Sequence, residues 1–321
     1  MPGEFDLITQ YFDQLTPQRD DVLLGIGDDA ALCLPPQGQA LVIAVDTLIA
    51  GVHFPLQTCA EDVGYKALAV NLSDLAAMGA IPAWMTLALT LPGVDEGWLA
   101  AFSQGLGALA KQHQVALIGG DTTRGALSVS VQIMGFVPSG QALQRHTAQP
   151  GDFIYVTGEL GAAGLALKSL NGEVHLSASE QKQALLALNR PVPRLAIGKC
   201  LRGIASSAID ISDGLWADLG HILERSQLGA QLQLADLPLS PLLLPHLSPQ
   251  QAWELALTAG DEYELCFTVP PERIKQLESA LAGQSYCCIG QITVEPGLRC
   301  LDENQQLWQD GLENKGYQHF F

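Results

Sequence analysis

Apolar side chains recur along this chain at two spacings, and the switches between them outline an α/β architecture. Residues 22–26 and 41–45 are apolar runs of strand length, whereas residues 61–78 carry apolar positions at helical spacing and stop at Gly79 and Pro82. A second helix fits residues 95–114, a strand residues 115–118, and a longer, partly alternating strand residues 127–137. The polar, turn-rich stretch PSGQALQRHTAQPGD, residues 138–152, then separates these elements from a second set. In that set residues 153–157, 208–211 and 263–269 read as strands, and residues 162–170, 180–189, 214–226 and 272–282 as helices. The expected domains are residues 1–138 and 150–321, both α/β, with no short-period repeat or low-complexity tract.

Composition supports two cores. A chain of 321 residues is long for one domain, and 48% hydrophobic against 16% charged residues leaves ample material to bury. Sixteen Lys and Arg against 34 Asp and Glu give a formal net charge of -18, which repels nucleic acid and anionic membranes. No apolar run approaches the ~20 residues of a bilayer span, and the start MPGEFDLITQYF is acidic where a signal peptide is basic. A cytoplasmic protein is expected. The seven cysteines show no zinc-ligand spacing and are expected to be reduced and structural; adjacent Cys287 and Cys288 would point to opposite faces of a strand.

Acidic residues close several of the apolar runs. LLGIGDD ends in Asp28 and Asp29, LVIAVD in Asp46, VALIGGD in Asp121, and SSAIDISDG carries Asp210 and Asp213. Any one of these fits a turn or a helix cap. Their recurrence at strand ends instead predicts a shared crevice fed by both halves of the chain. In KALAVNLSDLAAMGA, Asn71 and Asp74 are three residues apart and share one face of an otherwise apolar helix. That face is either a solvent stripe or a surface packed against the acidic crevice; its low charge favours the second. Clustered carboxylates raise one another's pKa unless a cation intervenes, and oxygen donors without Cys or His suit Mg²⁺ or Ca²⁺. No EF-hand pattern is present. The acidic site therefore predicts an anionic substrate accompanied by Mg²⁺.

Other signatures fail on inspection. GIGDDA, residues 25–30, matches a dinucleotide fingerprint, yet Pro35 and Pro36 forbid the helix it should open and its acids would face a pyrophosphate. The P-loop pattern is absent, as are a zinc-protease His pair and a hydrolase Ser elbow. GELGAAGLALKS, residues 158–169, could offer backbone N–H groups to an anion, but close helix packing explains its glycines better.

Assembled in order, the segments GEFDLI, LGIGDDAAL, YKALAVNLSDLAAMGA, LIGGDTTRG, IDISDGL and YELCFTV closely resemble the bacterial thiamine-monophosphate kinases. These belong to the superfamily of aminoimidazole ribonucleotide synthetase and selenophosphate synthetase, and the likeness runs nearly end to end. It implies a two-domain α/β (α+β) fold that dimerises through an N-terminal sheet or barrel, with the C-terminal domain completing the active site. By position it implies Asp29, Asp46, Asp74, Asp121 and Asp210 as metal ligands, with Asp213 on a further ion. Asp121 and Asp210 would be the catalytic pair. Ala44 and Val45 stand where relatives often have Ser or Thr, so a backbone carbonyl, that of Val45, would replace a hydroxyl ligand. Gly120, Asp121, Arg145 and Ser212 would contact ATP, and His53, Asp261 and Tyr317 thiamine monophosphate. Since relatives read Glu-Asp where this chain has Asp261-Glu262, the choice between those two carboxylates stays open.

The resemblance implies ATP-dependent phosphorylation of thiamine monophosphate to thiamine diphosphate, with several Mg²⁺ ions, a K⁺ requirement left open, and a homodimer. A phosphate acceptor is mostly dianionic at neutral pH, its second pKa being near ~6, so no general base is needed. What remains is charge neutralisation and in-line alignment, giving direct transfer without a phosphoenzyme. The rival readings are a sister ATP-dependent synthetase of the superfamily and a non-catalytic Mg-nucleotide-binding module. Against a selenophosphate synthetase, the first cysteine, Cys33, follows the GDD segment.

Overall fold

The computed structural model describes residues 4–308 and 316–317, with side chains described from residue 6 onward. The chain divides into two compact units, Met1–Leu75 with Ala80–Gly140, and Ala76–Gly79 with Gln141–Phe321.

In the first unit α1 (Glu4–Tyr11) leads into a two-stranded antiparallel ribbon, β1 (Val22–Leu24) and β2 (Leu32–Cys33). There follow β3 (Gln39–Ile49), α2 (Ala60–Ala77), β4 (Ile81–Leu91), α3 (Glu96–Gln112), β5 (Ala116–Arg124) and β6 (Ser128–Pro138). The four long strands form one sheet in the order β3-β6-β4-β5, antiparallel except for β4 with β5. Buried residues of α2 (Leu68, Leu72) and α3 (Phe102, Leu106) account for one helical layer, matched by buried Leu87, Leu89, Val129 and Val131 on the strands. The two helices meet backbone to backbone. A methyl group on Gly64 would strike the Phe102 carbonyl, and one on Gly105 the Glu61 carbonyl. On the sheet, Trp84, Ile118 and Phe136 join a smaller cluster against which Val22, Ala31 and Cys33 of the ribbon segment pack.

The sequence reading shortened two strands. Residues 41–45 are the centre of the eleven-residue β3, and residues 115–118 only the start of β5. Asp46 and Asp121 therefore lie within strands, not at their ends. Pro82, read as a breaker, is the second residue of β4, near the strand start where a missing N–H is tolerated. The convergence of strand ends on a crevice is a property of parallel α/β sheets, and this sheet is mainly antiparallel.

The second unit contains β7 (Phe153–Thr157), α4 (Ala162–Leu170), α5 (Ala178–Asn189), α6 (Leu195–Leu201), β8 (Ser207–Asp210), α7 (Leu215–Ser226) and β9 (Gly229–Gln233). After them come α8 (Pro249–Thr258), β10 (Leu265–Val269), α9 (Ile274–Ala280), β11 (Tyr286–Thr293) and β12 (Gly297–Leu301). Its sheet runs β12-β9-β11-β7-β10-β8, antiparallel apart from β9 with β12. Ile154, Val156, Ile209, Leu219, Ile222, Leu232, Leu257 and Ile289 make its main core. Tyr155 stacks on Phe267 with ring centroids 5.5 Å apart.

The glycines of residues 158–169 serve close packing, as their spacing suggested. A methyl on Gly161 would meet Leu243, and one on Gly164 would meet Ala259 and Leu255. None of the seven cysteines forms a disulfide. Among the described residues no helix is long and apolar enough to cross a membrane.

Candidate functional site

The GDD loop is fixed from below. Arg19 pairs with Asp21 at 2.6 Å, the Trp84 indole donates to Asp21 at 2.9 Å, and Arg19 also reaches the Gln114 carbonyl at 2.8 Å. The Arg19 hydrogen bond holds the Asp21 carboxyl below the usual carboxylate range. These contacts pin the start of β1, and the loop between β1 and β2 carries Asp28 and Asp29 outward. The Asp29 N–H closes onto the Asp28 carboxylate at 2.8 Å. No helix follows GIGDDA, so the dinucleotide reading fails on structure as well.

This loop borders a cavity of about 840 Å³, also lined by Thr86, Gly119, Gly120, Asp121 and Thr122. Asp29, Gly120 and Asp121 are thus brought together, with Asp28 beside them. At Gly120 a side chain would collide with the Leu87 backbone, so glycine is what lets β5 lie close to β4 here.

Asp46 and Asp74 do not border that cavity. Asp46 lies on β3 and Asp121 on β5, the two edges of the sheet, with β6 and β4 between them. Asp46 is held instead by α2: its backbone N–H donates to Asn71 Oδ1 at 3.2 Å. Across a trans peptide the preceding carbonyl points the opposite way, which turns that of Val45 toward β6 and its register partner Gln132. Asn71 is fully buried and Asp74 half-buried, so this helix face is not a solvent stripe.

His53 is half-buried; its Nδ1 accepts the Ile49 N–H at 3.0 Å and its carbonyl accepts from Lys66 at 3.3 Å. Lys66, only 1% exposed, was not singled out in the sequence because lysine usually lies on helix surfaces.

In the second unit Asp210 ends β8 and is buried, opposite Leu265 of β10. Residues 211–213 run beside residues 261–264: Ile211 donates to the Glu264 carbonyl at 2.8 Å, and Asp261 to the Ser212 carbonyl at 2.9 Å. Tyr317, 45% exposed, donates its N–H to the Asp213 carbonyl at 3.0 Å. Ser212, Asp213, Asp261 and Tyr317 are therefore neighbours. Asp261 accepts from the Tyr263 hydroxyl at 3.2 Å, while the Glu262 carboxylate accepts the Gly161 N–H at 2.8 Å at the start of α4. Arg145 is exposed, its carbonyl bound by the Ser226 hydroxyl at 3.3 Å.

Sequence reasoning missed Asp218. It is buried in the first turn of α7, and burial, then the nearby Asp210 carboxylate, pushes its carboxyl up to about 8. The clue available was an acid five residues after Asp213 on an otherwise apolar helix face.

Among the described residues no three or more His, Cys, Asp or Glu side chains stand close enough together to hold a metal ion. The donors nonetheless fit Mg²⁺. All are oxygens, and Mg²⁺ commonly uses one or two carboxylates and completes its shell with water and phosphate oxygens.

An acidic, glycine-bordered cavity beside an antiparallel sheet, followed by a second α/β unit, defines a two-domain AIR synthase-like architecture. Residues 27–137 match the family described as AIR synthase related protein, N-terminal domain, and residues 149–303 its C-terminal counterpart. The thiamine-monophosphate kinase of Escherichia coli K12 is 50% identical over 322 residues, covering 99% of this chain and 98% of that protein. That of Bacillus subtilis 168 is 38% identical, with 99% of both chains covered. The crystal structure of the Stenotrophomonas maltophilia K279a thiamine-monophosphate kinase superposes with a TM-score of 0.82 at 49% identity, covering 88% of this chain and 92% of that one. The complex of AaThiL with AMPPCP and TMP superposes with a TM-score of 0.78 at 29% identity, covering 99% and 97%. The chain belongs to the thiamine-monophosphate kinase family.

Proposed function

We propose that this chain phosphorylates thiamine monophosphate with ATP, giving thiamine diphosphate and ADP. The observation that carries the reading is the cavity bordered by Asp28, Asp29, Gly120 and Asp121, in a chain that shares half its residues with a thiamine-monophosphate kinase over nearly its full length. The relative solved with AMPPCP and TMP supports the same pair of substrates.

Asp29 and Asp121, Asp46 and Asp74, and Asp210 with Asp213 are the proposed Mg²⁺ ligands of the chain. When bound, Mg²⁺ neutralises charge on the phosphates. Gly120 admits the nucleotide close to the backbone of β5, and Ser212 and Arg145 offer a hydroxyl and a guanidinium to its phosphates. Of the paired acids, Asp261 is the better candidate for substrate contact, because Glu262 is already engaged at the start of α4. His53 and Tyr317 are proposed to flank thiamine monophosphate. The acceptor needs no proton removed, so positioning by these residues suffices for direct transfer.

A homodimer is part of the proposal. β3 is an edge strand eleven residues long, and Leu41, Ile43, Val45 and Ile49 on it are exposed. An exposed apolar face on an edge strand of this length invites association unless another chain covers it. Product analysis with Mg²⁺, ATP and thiamine monophosphate tests the activity: equal amounts of thiamine diphosphate and ADP are expected, and ADP without thiamine diphosphate would refute it.

A further inference from the structure

The loop between β8 and α7 is held by one carboxylate oxygen. Asp218 Oδ2 accepts the backbone N–H of Ser212 at 2.9 Å, of Asp213 at 3.0 Å and of Gly214 at 3.1 Å. Three successive N–H groups aimed at one point form a nest, an arrangement that proteins often use to bind phosphate. Here the nest is filled from within.

Two consequences follow from that occupancy. The amides of residues 212–214 are not available to cradle an anion, so Ser212 and Asp213 can serve a nucleotide or its cation only through their side chains. The loop is also over-determined. Gly214 has φ of 114°, where a side chain would be strained, and a methyl there would strike the Thr258 backbone. The Ser212 and Asp213 carbonyls are tied to the N–H groups of Asp261 and Tyr317.

Asp218 is 3% exposed, so an alanine in its place would leave the three N–H groups of the loop without their acceptor and with little access to water.

We infer that Asp218 is a positioning residue for phosphoryl transfer, one that locks residues 212–214 so that Ser212 and Asp213 are presented in fixed geometry to the cation and nucleotide. The inference rests on the kinase reading above. Asp218 touches no reacting atom itself.

The test compares Asp218→Ala and Asp218→Asn with the parent chain in two measurements. Hydrogen exchange of residues 212–214, read without nucleotide or Mg²⁺, should rise in the alanine variant and be largely restored in the asparagine variant, which keeps an acceptor oxygen. The Mg²⁺ concentration for half-maximal rate should rise roughly tenfold in the alanine variant. KM for thiamine monophosphate should stay within about twofold, a split that general destabilisation would not produce. Unchanged exchange, or an unchanged Mg²⁺ midpoint in a folded variant, would overturn the inference. If the alanine variant does not fold, Asp218→Asn decides alone: a small but measurable rise in both readouts supports the inference, and no change in either overturns it. A parent chain inactive on thiamine monophosphate would sink the kinase reading while leaving the exchange result standing.

Discussion

The buried amide of Asn71 joins two elements that the sequence presents far apart: its Oδ1 accepts the Asp46 N–H at 3.2 Å, and its Nδ2 donates to the Ala67 carbonyl at 2.9 Å. Helix α2 thus grips the edge strand at the residue whose carboxylate is a proposed Mg²⁺ ligand. Asn71→Ala removes the acceptor and leaves a partly buried N–H unpaired, so stability should fall by about 1–3 kcal/mol. Urea unfolding of parent and variant measures this, and equal midpoints and slopes would show that the bond contributes nothing.

The close contact of α2 with α3 depends on two glycines. Gly105→Ala would drive a methyl into the Glu61 carbonyl, and overpacking of this kind costs typically 1–3 kcal/mol. Since α2 carries both Asn71 and Asp74, activity should fall along with the melting temperature. A variant that melts like the parent would mean that the helices separate without strain.

At the start of α5, hydrogen bonds from Ser177, then His246 at 3.0 Å, hold the Glu180 carboxyl down at about 2. The folded value lies below the unfolded one, so this contribution is present above about pH 4.5 and is lost as pH falls toward about 2. Glu180→Gln should lower the melting temperature near neutral pH, and the gap to the parent should close across that acid range. A gap independent of pH would contradict the linkage.

Asp121→Asn and Asp210→Asn should each remove most activity while leaving the fold intact, because a neutral amide is a poorer Mg²⁺ ligand than a carboxylate. Circular dichroism and rates at limiting Mg²⁺ are the readouts. Full turnover by both variants would remove these residues from the metal site.

Helices were the most legible part of the sequence. The pattern over residues 61–78 gives α2, and that over residues 95–114 gives α3, because a buried stripe repeats at a period the eye can follow. β3 was cut short because its outward residues Leu41, Ile43 and Val45 are as apolar as a buried face and hide the alternation that would mark its length. Tyr263 and Asp261, with φ of 51° and 66°, bend the chain before β10, and nothing in YELCFTV announces that turn. The aspartates themselves were visible. Their sorting was not, since it depends on the sheet order β3-β6-β4-β5, which puts Asp46 and Asp121 on opposite edge strands. The acid at Asp218 on the apolar face of α7 was on view, but its role in the loop was not, because its partners are backbone N–H groups, which have no sequence signature.

The most direct test follows the phosphoryl group itself. With ATP labelled at the γ-phosphate, Mg²⁺ and thiamine monophosphate, a rapidly quenched single turnover should show label passing from ATP into thiamine diphosphate, with none in the denatured protein. Label trapped on the protein would contradict direct transfer, and label released as inorganic phosphate with no thiamine diphosphate would contradict the kinase activity altogether.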